Sequence, residues 1–230
     1  MTESTIAQNI AKLRERIRIA SQKNQRDSAS ICLLAVSKTQ PAEAIREAAE
    51  AGVDNIGENY LQEALDKMAL LADLPLCWHF IGPLQSNKTR AVAEHFDWVH
   101  SVDREKIARR LSQQRPAGLA PLNVCLQVNI SNEDSKAGVD PADIEELAVA
   151  ISGLPGLRLR GLMAIPALTD DPSQQRANFS ALRKALQKLQ ALHPGLDTLS
   201  MGMSADLDAA IAEGSTLLRI GTAVFGPRGG

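Results

Sequence analysis

A single (β/α)8 barrel with one extra helix ahead of its first strand is the fold that the sequence predicts, and three observations carry the prediction. Eight short apolar runs recur along the 230 residues, each separated from the next by a stretch long enough for a helix. Units of this kind, joined by right-handed crossovers, close into a barrel in about 250 residues, often fewer. No Gly-x-Gly-x-x-Gly follows the first run, where an open dinucleotide-binding sheet would bring backbone against a pyrophosphate.

The elements follow in order. Ile6, Ile10, Leu13, Ile17 and Ile19 recur mostly at intervals of three or four, which predicts an amphipathic helix over 6–20, a lid or brace before the barrel. Residues 31–36 form the first strand, followed by Pro41 and an alanine-rich helix. The second strand is placed at 53–56 with its helix at 60–71, and the third at 76–81 with its helix starting near Ser86. Strand four, 98–102, precedes a basic helix over 103–114; strand five, 122–130, precedes a helix over 141–152. Strand six is 157–163, and a long helix over 172–192 carries Phe179, Leu182, Leu186 and Leu189 on one face. Residues 198–201, a helix over 205–213, and residues 217–220 complete the eight. No repeat, low-complexity tract or linker divides the chain, so residues 1–230 are read as one domain.

Composition narrows the function classes. Apolar residues make up 44% and charged residues 23%, as in an ordinary globular chain, and the net charge of −2 offers no general attraction to nucleic acid or an anionic membrane. Small molecules are the expected partners. Cys32, Cys77 and Cys125 sit far apart in apolar runs with no metal-ligand spacing and are read as core thiols of a reducing compartment. The polar N-terminus is unlike a signal peptide, and no run approaches the roughly 20 apolar residues of a membrane span. A cytoplasmic location follows as the expectation.

In a barrel of this type ligands bind at the C-terminal ends of the strands. Lys38, in Leu34-Ala35-Val36-Ser37-Lys38, stands at the first such end, where an amine can form an imine with an aldehyde; taken alone, a lysine after a strand is more often a solvated loop charge, and the rest of the chain has to decide. At the eighth end, Gly221 permits close backbone approach and Thr222 offers a hydroxyl, while Ser204 after strand seven adds a donor. Together they suit a phosphate, although Ser204 also reads as a helix cap. Arg219, inside an apolar strand, needs an acceptor; a pyridine nitrogen is one candidate and a buried carboxylate another. Barrel closure sets strand eight beside strand one, so Lys38 and the anion cradle are predicted to be neighbours. His79 is read as a hydrogen-bonded structural residue in preference to a general base. Residues 83–88 read either as a functional loop or as a turn and helix start. The basic helix with Arg104, Lys106, Arg109 and Arg110 is a solvated face, and Lys136, after strand five, is either a surface charge or a group facing the ligand.

These segments, with Gly57-Glu58-Asn59-Tyr60, the Trp78 to Lys88 stretch, Asn129 to Gly138, Gly161-Leu162-Met163 and Met201-Gly202-Met203-Ser204, closely resemble the pyridoxal phosphate homeostasis family, barrel proteins related to the N-terminal domain of alanine racemase. The resemblance spans nearly the whole chain. It implies a fold-type III site for pyridoxal 5′-phosphate (PLP), with Lys38 as the Schiff-base lysine, Ser204, Gly221 and Thr222 around the phosphate, Arg219 facing the ring nitrogen and Asn59 beside the ring. Lys136 is assigned a secondary role in accepting or releasing the cofactor. The function implied is storage, buffering or delivery of PLP, with PLP-dependent apoenzymes as partners and no robust amino-acid turnover. Amino-acid racemisation is the alternative, and a cofactor-free aldolase is a third class. Two-base racemisation needs an acid or base on each face of the substrate; Tyr60 is the only tyrosine and no second domain follows it here, so the carrier is preferred and a monomer is expected.

Overall fold

Ring closure is set by hydrogen bonding between the first and last strands, where Cys32, Leu33, Leu34 and Ala35 pair in parallel with Leu217, Leu218, Arg219 and Ile220. The computed structural model describes residues 4–131, 137–167 and 169–226. Its strands are β1 (Cys32–Val36), β2 (Asn55–Glu58), β3 (Cys77–Phe80), β4 (Trp98–Val102), β5 (Leu122–Gln127), β6 (Leu157–Met163), β7 (Thr198–Ser200) and β8 (Leu217–Ile220). They form a closed parallel barrel in chain order. The helices are α1 (Ile6–Lys23), α2 (Ala42–Glu50), α3 (Leu61–Leu70), α4 (Thr89–His95), α5 (Glu105–Gln114), α6 (Ile144–Ser152), α7 (Pro172–Gln190), α8 (Leu207–Ala212) and a four-residue α9 (Thr222–Phe225). Among the described residues no helix is long and apolar enough to cross a membrane.

Helix α1 begins with a reciprocal cap, Thr5 Oγ1 accepting from the Gln8 amide while the Gln8 side chain accepts from the Thr5 amide. Its buried face, Ile10, Leu13 and Ile17, packs against α2, α8 and α9. It therefore covers the seam between β8 and β1, where, among the described residues, the last strand is followed by the short α9. This makes α1 a brace rather than a lid.

Several expected boundaries moved, and the clearest shifts have a physical reason. Strand β2 runs Asn55–Glu58 instead of 53–56: Gly52, at φ +80°, ends the preceding helical turn, and the ladder extends through Glu58, a charged residue that is fully buried. Strand β5 ends at Gln127 although the apolar run continues to Ile130, because Val128 turns away to bridge Val139. Helices α4, α6 and α8 start two or three residues late; before α6, for example, Asp140 Oδ1 accepts from the Ala142 amide and holds a turn. The short α9, absent from the sequence reading, is closed by Val224 and Phe225 amides donating to the Gly221 carbonyl.

The hydrophobic core lies mainly between strands and helices, where Ile45, Ile56, Val92, Ile107, Leu111, Phe179 and Leu182 are fully buried. Inside the barrel the chain also buries polar groups, His79, His100, Ser200 and Arg219, beside apolar residues such as Leu34 and Leu217, where branched aliphatic layers are usual.

Candidate functional site

The rim and the barrel interior each contribute one cation. At the exit of β1 the chain turns at residues 37–40, closed by the Gln40 amide donating to the Ser37 carbonyl. Lys38 stands in this turn, half-buried, with no hydrogen bond or ion pair among the described residues. Across the β1–β8 seam, Lys38, Val36, Gln40, Gly221, Thr222, Phe225 and Gly226 line a cleft of about 30 Å³. That volume seats one small group, the end of a ligand and not the whole of it. A side chain at Gly221 would narrow the cleft, since its Cβ would lie 3.3 Å from the Val36 carbonyl oxygen. The structure thus brings Lys38, Gly221 and Thr222 together.

Ser204 and Asn59 lie on neighbouring exits and do not line that cleft. Ser204 is not a helix cap: α8 begins at Leu207 with Asp206 as its cap residue. Its hydroxyl makes no hydrogen bond among the described residues, while its carbonyl accepts from Arg16 of α1 at 3.0 Å. Asn9 of the same helix donates to the Val224 carbonyl at 3.0 Å, so α1 holds the exits of both β7 and β8. Asn59 follows β2, its backbone packed so closely by Gly82 that a Cβ there would fall 2.2 Å from the Asn59 carbonyl oxygen. The Asn59 side-chain Oδ1 is buried without a partner. Lys136 lies outside the described residues.

Arg219 is buried, and its guanidinium donates to the carbonyls of Ser200 and Ala164 and to Ser200 Oγ. No carboxylate pairs with it among the described residues. Burial pulls its pKa down to about 10, and the more distant Asp206 partly counters this. From Ser200 a hydrogen-bonded chain crosses the barrel: Ser200 Oγ to His100 Nδ1 (2.8 Å), His100 Nε2 to His79 Nδ1 (2.9 Å), and His79 Nε2 to Asn55 Oδ1 (3.0 Å). Its direction is set at both ends. Arg219 only donates, and Asn55 Nδ2 is engaged by Asp54, leaving Asn55 Oδ1 to accept. Each histidine is therefore neutral with the proton on Nε2, and burial holds His79 down to about 3 and His100 well below its ordinary range. His79 also stacks on Trp98 at 5.4 Å, in keeping with the structural reading of that residue.

Sequence reasoning did not find this chain, because its members lie on five separate strands. The signal available was the alternation of polar residues within strands, His79 after Cys77, His100 after Trp98 and Ser200 after Thr198. Nor did it find the buried ion cluster of Glu58, Glu63 and Lys67 beneath the β1 exit. Cys125 is buried and Cys32 and Cys77 half-buried; all are free, with burial raising their pKa values to about 12, 11 and 12 respectively. The basic helix α5 is largely solvated as expected, except that Arg110 donates to the Ser86 carbonyl and fixes the turn before α4.

A larger groove of about 640 Å³ lies at the opposite ends of β1 and β2, between α1 and residues such as Cys32, Asp54 and Asn55. Arg14 in that groove is already engaged by the Ala51 and Gly52 carbonyls. Ligand chemistry in these barrels belongs to the C-terminal strand ends, and the free amine is there, so the rim is the candidate site.

Residues 4–229 match the family described as alanine racemase, N-terminal domain. The chain is 66% identical over 225 residues to the pyridoxal phosphate homeostasis protein of Pseudomonas aeruginosa, covering 98% of this chain and 96% of that one. It is 54% identical to the protein of the same name from Escherichia coli K12, covering 97% of each. Among solved structures, PipY of Synechococcus elongatus with PLP bound superposes with a TM-score of 0.84 at 43% identity, covering 96% of this chain and all of that one. Alanine racemase from Corynebacterium glutamicum, 17% identical with a TM-score of 0.67, shares the fold over 92% of this chain and 59% of its own length. The chain belongs to the alanine racemase N-terminal domain family and, within it, to the pyridoxal phosphate homeostasis proteins.

Proposed function

We propose that this chain binds pyridoxal 5′-phosphate at the barrel rim and serves its homeostasis by storing, buffering or delivering it, without robust turnover of amino acids. One observation carries the reading: barrel closure puts the free amine of Lys38 and the Gly221-Thr222 pair around a single cleft, 183 residues apart in sequence between Lys38 and Gly221. The residues present fit the group. Lys38 is the amine that would hold its aldehyde carbon; Gly221, Thr222 and Ser204 would receive the phosphate; the orphaned Oδ1 of Asn59 calls for a donor. Arg219 would face the ring nitrogen, a cation held in place by neutral oxygens and so not neutralised.

When bound, the cofactor supplies an aldehyde for amines and a conjugated ring that can take up electrons. Arg219 disfavours a proton on a nitrogen facing it and thereby weakens that electron uptake, which suits a carrier better than a carbanion enzyme. Racemisation would have to use Tyr60, which stands 57% exposed at the exit of β2. A general base so placed lacks the fixed geometry that proton transfer requires. We place the protein in the cytoplasm as a monomer, with PLP-dependent apoenzymes as recipients, and assign Lys136 to accepting or releasing the cofactor.

The test is transfer. Loaded protein mixed with the apo form of a PLP-dependent enzyme should restore that enzyme's activity, and Lys136→Ala should slow the transfer; an unchanged rate would remove Lys136 from the account. Loaded protein incubated with L-alanine in deuterated water should show little exchange at the α-carbon. Rapid exchange with chiral inversion would instead establish the racemase.

A further inference from the structure

Lys38 sits between two residues that are both fixed by one buried ion cluster. Lys67, on α3, has a nearly buried side chain, and its ammonium donates three hydrogen bonds: to the Ser37 carbonyl at 2.7 Å, to Glu58 Oε1 at 2.7 Å and to Glu63 Oε1 at 2.6 Å. All three of its protons are engaged. Glu58 Oε1 also accepts from Ser37 Oγ at 2.5 Å, and Glu63 Oε1 also accepts from the Thr39 amide at 2.6 Å. The cluster therefore reaches the backbone on each side of Lys38 without touching the lysine's amine.

Two features show that this arrangement does more than hold α3 to the barrel. Thr39 adopts φ +64°, one of two non-glycine residues with positive φ among the described residues. For a β-branched residue this conformation costs on the order of 1–3 kcal/mol and persists only where its surroundings enforce it. The Glu63 bond to the Thr39 amide is such an enforcement. Second, a buried ion pair stabilises a fold no better than apolar side chains of similar volume, because desolvation offsets the attraction. Here the cost is visible, since Glu58 Oε2 is buried with no partner and burial raises the Glu58 pKa. An apolar contact could pack α3 equally well, but it could not grip the Ser37 carbonyl and the Thr39 amide.

We propose that Lys67, Glu58 and Glu63 form a positioning unit that sets the elbow at residues 37–39 and so aims the Lys38 amine into the cleft it shares with Gly221 and Thr222. This deepens the reading of Lys38 as the cofactor-holding lysine and rests on it. The unit touches neither ligand nor amine and acts through backbone geometry alone.

Glu63→Ala is the primary test, because the Glu63 side chain is 27% exposed and its loss leaves the Lys67–Glu58 pair intact. With PLP as the probe, borohydride trapping at Lys38 should slow about tenfold, as small misplacements of a reacting group do. The circular dichroism induced in the cofactor's absorption band should weaken. Adding Thr39→Asn, a residue that takes up positive φ more readily, should restore much of both signals. A second variant, Glu58→Gln with Lys67→Met, removes the buried charges together and should show the same loss in folded protein. Wild-type trapping rates and dichroism in both variants would overturn the proposal. Absence of label on Lys38 in the unsubstituted chain would instead overturn the reading of Lys38 itself.

Discussion

Lys38 and Arg219 are two cations directed to one mouth from neighbouring strands, and they are held in opposite ways. The Lys38 amine is half-exposed and unpaired on a turn whose backbone is clamped, whereas the Arg219 guanidinium is buried with its donors bound to the Ser200 and Ala164 oxygens. On the proposed reading the difference matches the tasks assigned to them. An amine that forms a covalent bond must be free to react, so the rigidity is placed in the chain around it. A charge that acts through its field must stay fixed, so the rigidity is placed on the group itself, and the hydrogen-bonded chain through Ser200, His100 and His79 to Asn55 extends that support across the barrel.

The contrast is broken most severely at Lys38. Replacing it with Ala should abolish the long-wavelength absorbance of reconstituted protein, while urea unfolding shifts by no more than about 0.5 kcal/mol, since the side chain makes no polar contact. Arg219→Ala should do the reverse. Orphaning the Ser200 and Ala164 carbonyls should cost about 1–3 kcal/mol of stability, and reconstituted protein should still be trapped by borohydride but with a displaced absorbance maximum. Loss of trapping in Arg219→Ala with stability unchanged would invert the two roles.

A weaker effect comes from the interior histidines. His79 is held near 3 in the fold against an ordinary value of 6.5, so between these values the unfolded chain binds the extra proton. Its contribution is complete above about pH 6.5 and declines as the pH falls toward 3, by up to about 1.4 kcal/mol per pH unit. His100 acts in the same direction. Urea midpoints measured from pH 7 to pH 4 should fall in the wild type and fall less steeply in a His79→Leu, His100→Leu double variant; parallel profiles would mean that the chain of histidines is not neutral. The smallest change is Gly221→Ala. Its φ is not in the left-handed region and its added Cβ requires only a small shift of the Val36 carbonyl, so folding should be preserved within about 0.5–1 kcal/mol while retention of PLP weakens severalfold. Equal retention of PLP and of unphosphorylated pyridoxal by the wild type would show that this cleft does not seat a phosphate.

Much of this organisation was legible in the chain before its structure. Strands β4, β6 and β8 occupy the predicted residues, because each carries apolar residues at its ends with few polar ones between, and the adjacency of β1 and β8 follows from counting to eight. What was not legible depends on contacts between distant segments. Glu58 falls two residues beyond the predicted second strand, and only the structure shows Lys67 and Ser37 receiving it in the interior. The Glu63 to Lys67 spacing of four reads as an ordinary helix-surface pair, and only the packing of α3 against the β1 exit turns it inward. Likewise the sequence left Arg219 between a ring nitrogen and a buried carboxylate as acceptor, and within the described residues it is met by carbonyls and a serine from β7 and the exit of β6.

The most direct measurement is the site of covalent attachment. Protein reconstituted with PLP, reduced with borohydride, digested and sequenced by mass spectrometry should carry the pyridoxyl group on Lys38. Exclusive labelling of any other lysine, with Lys38 unmodified, would contradict the account.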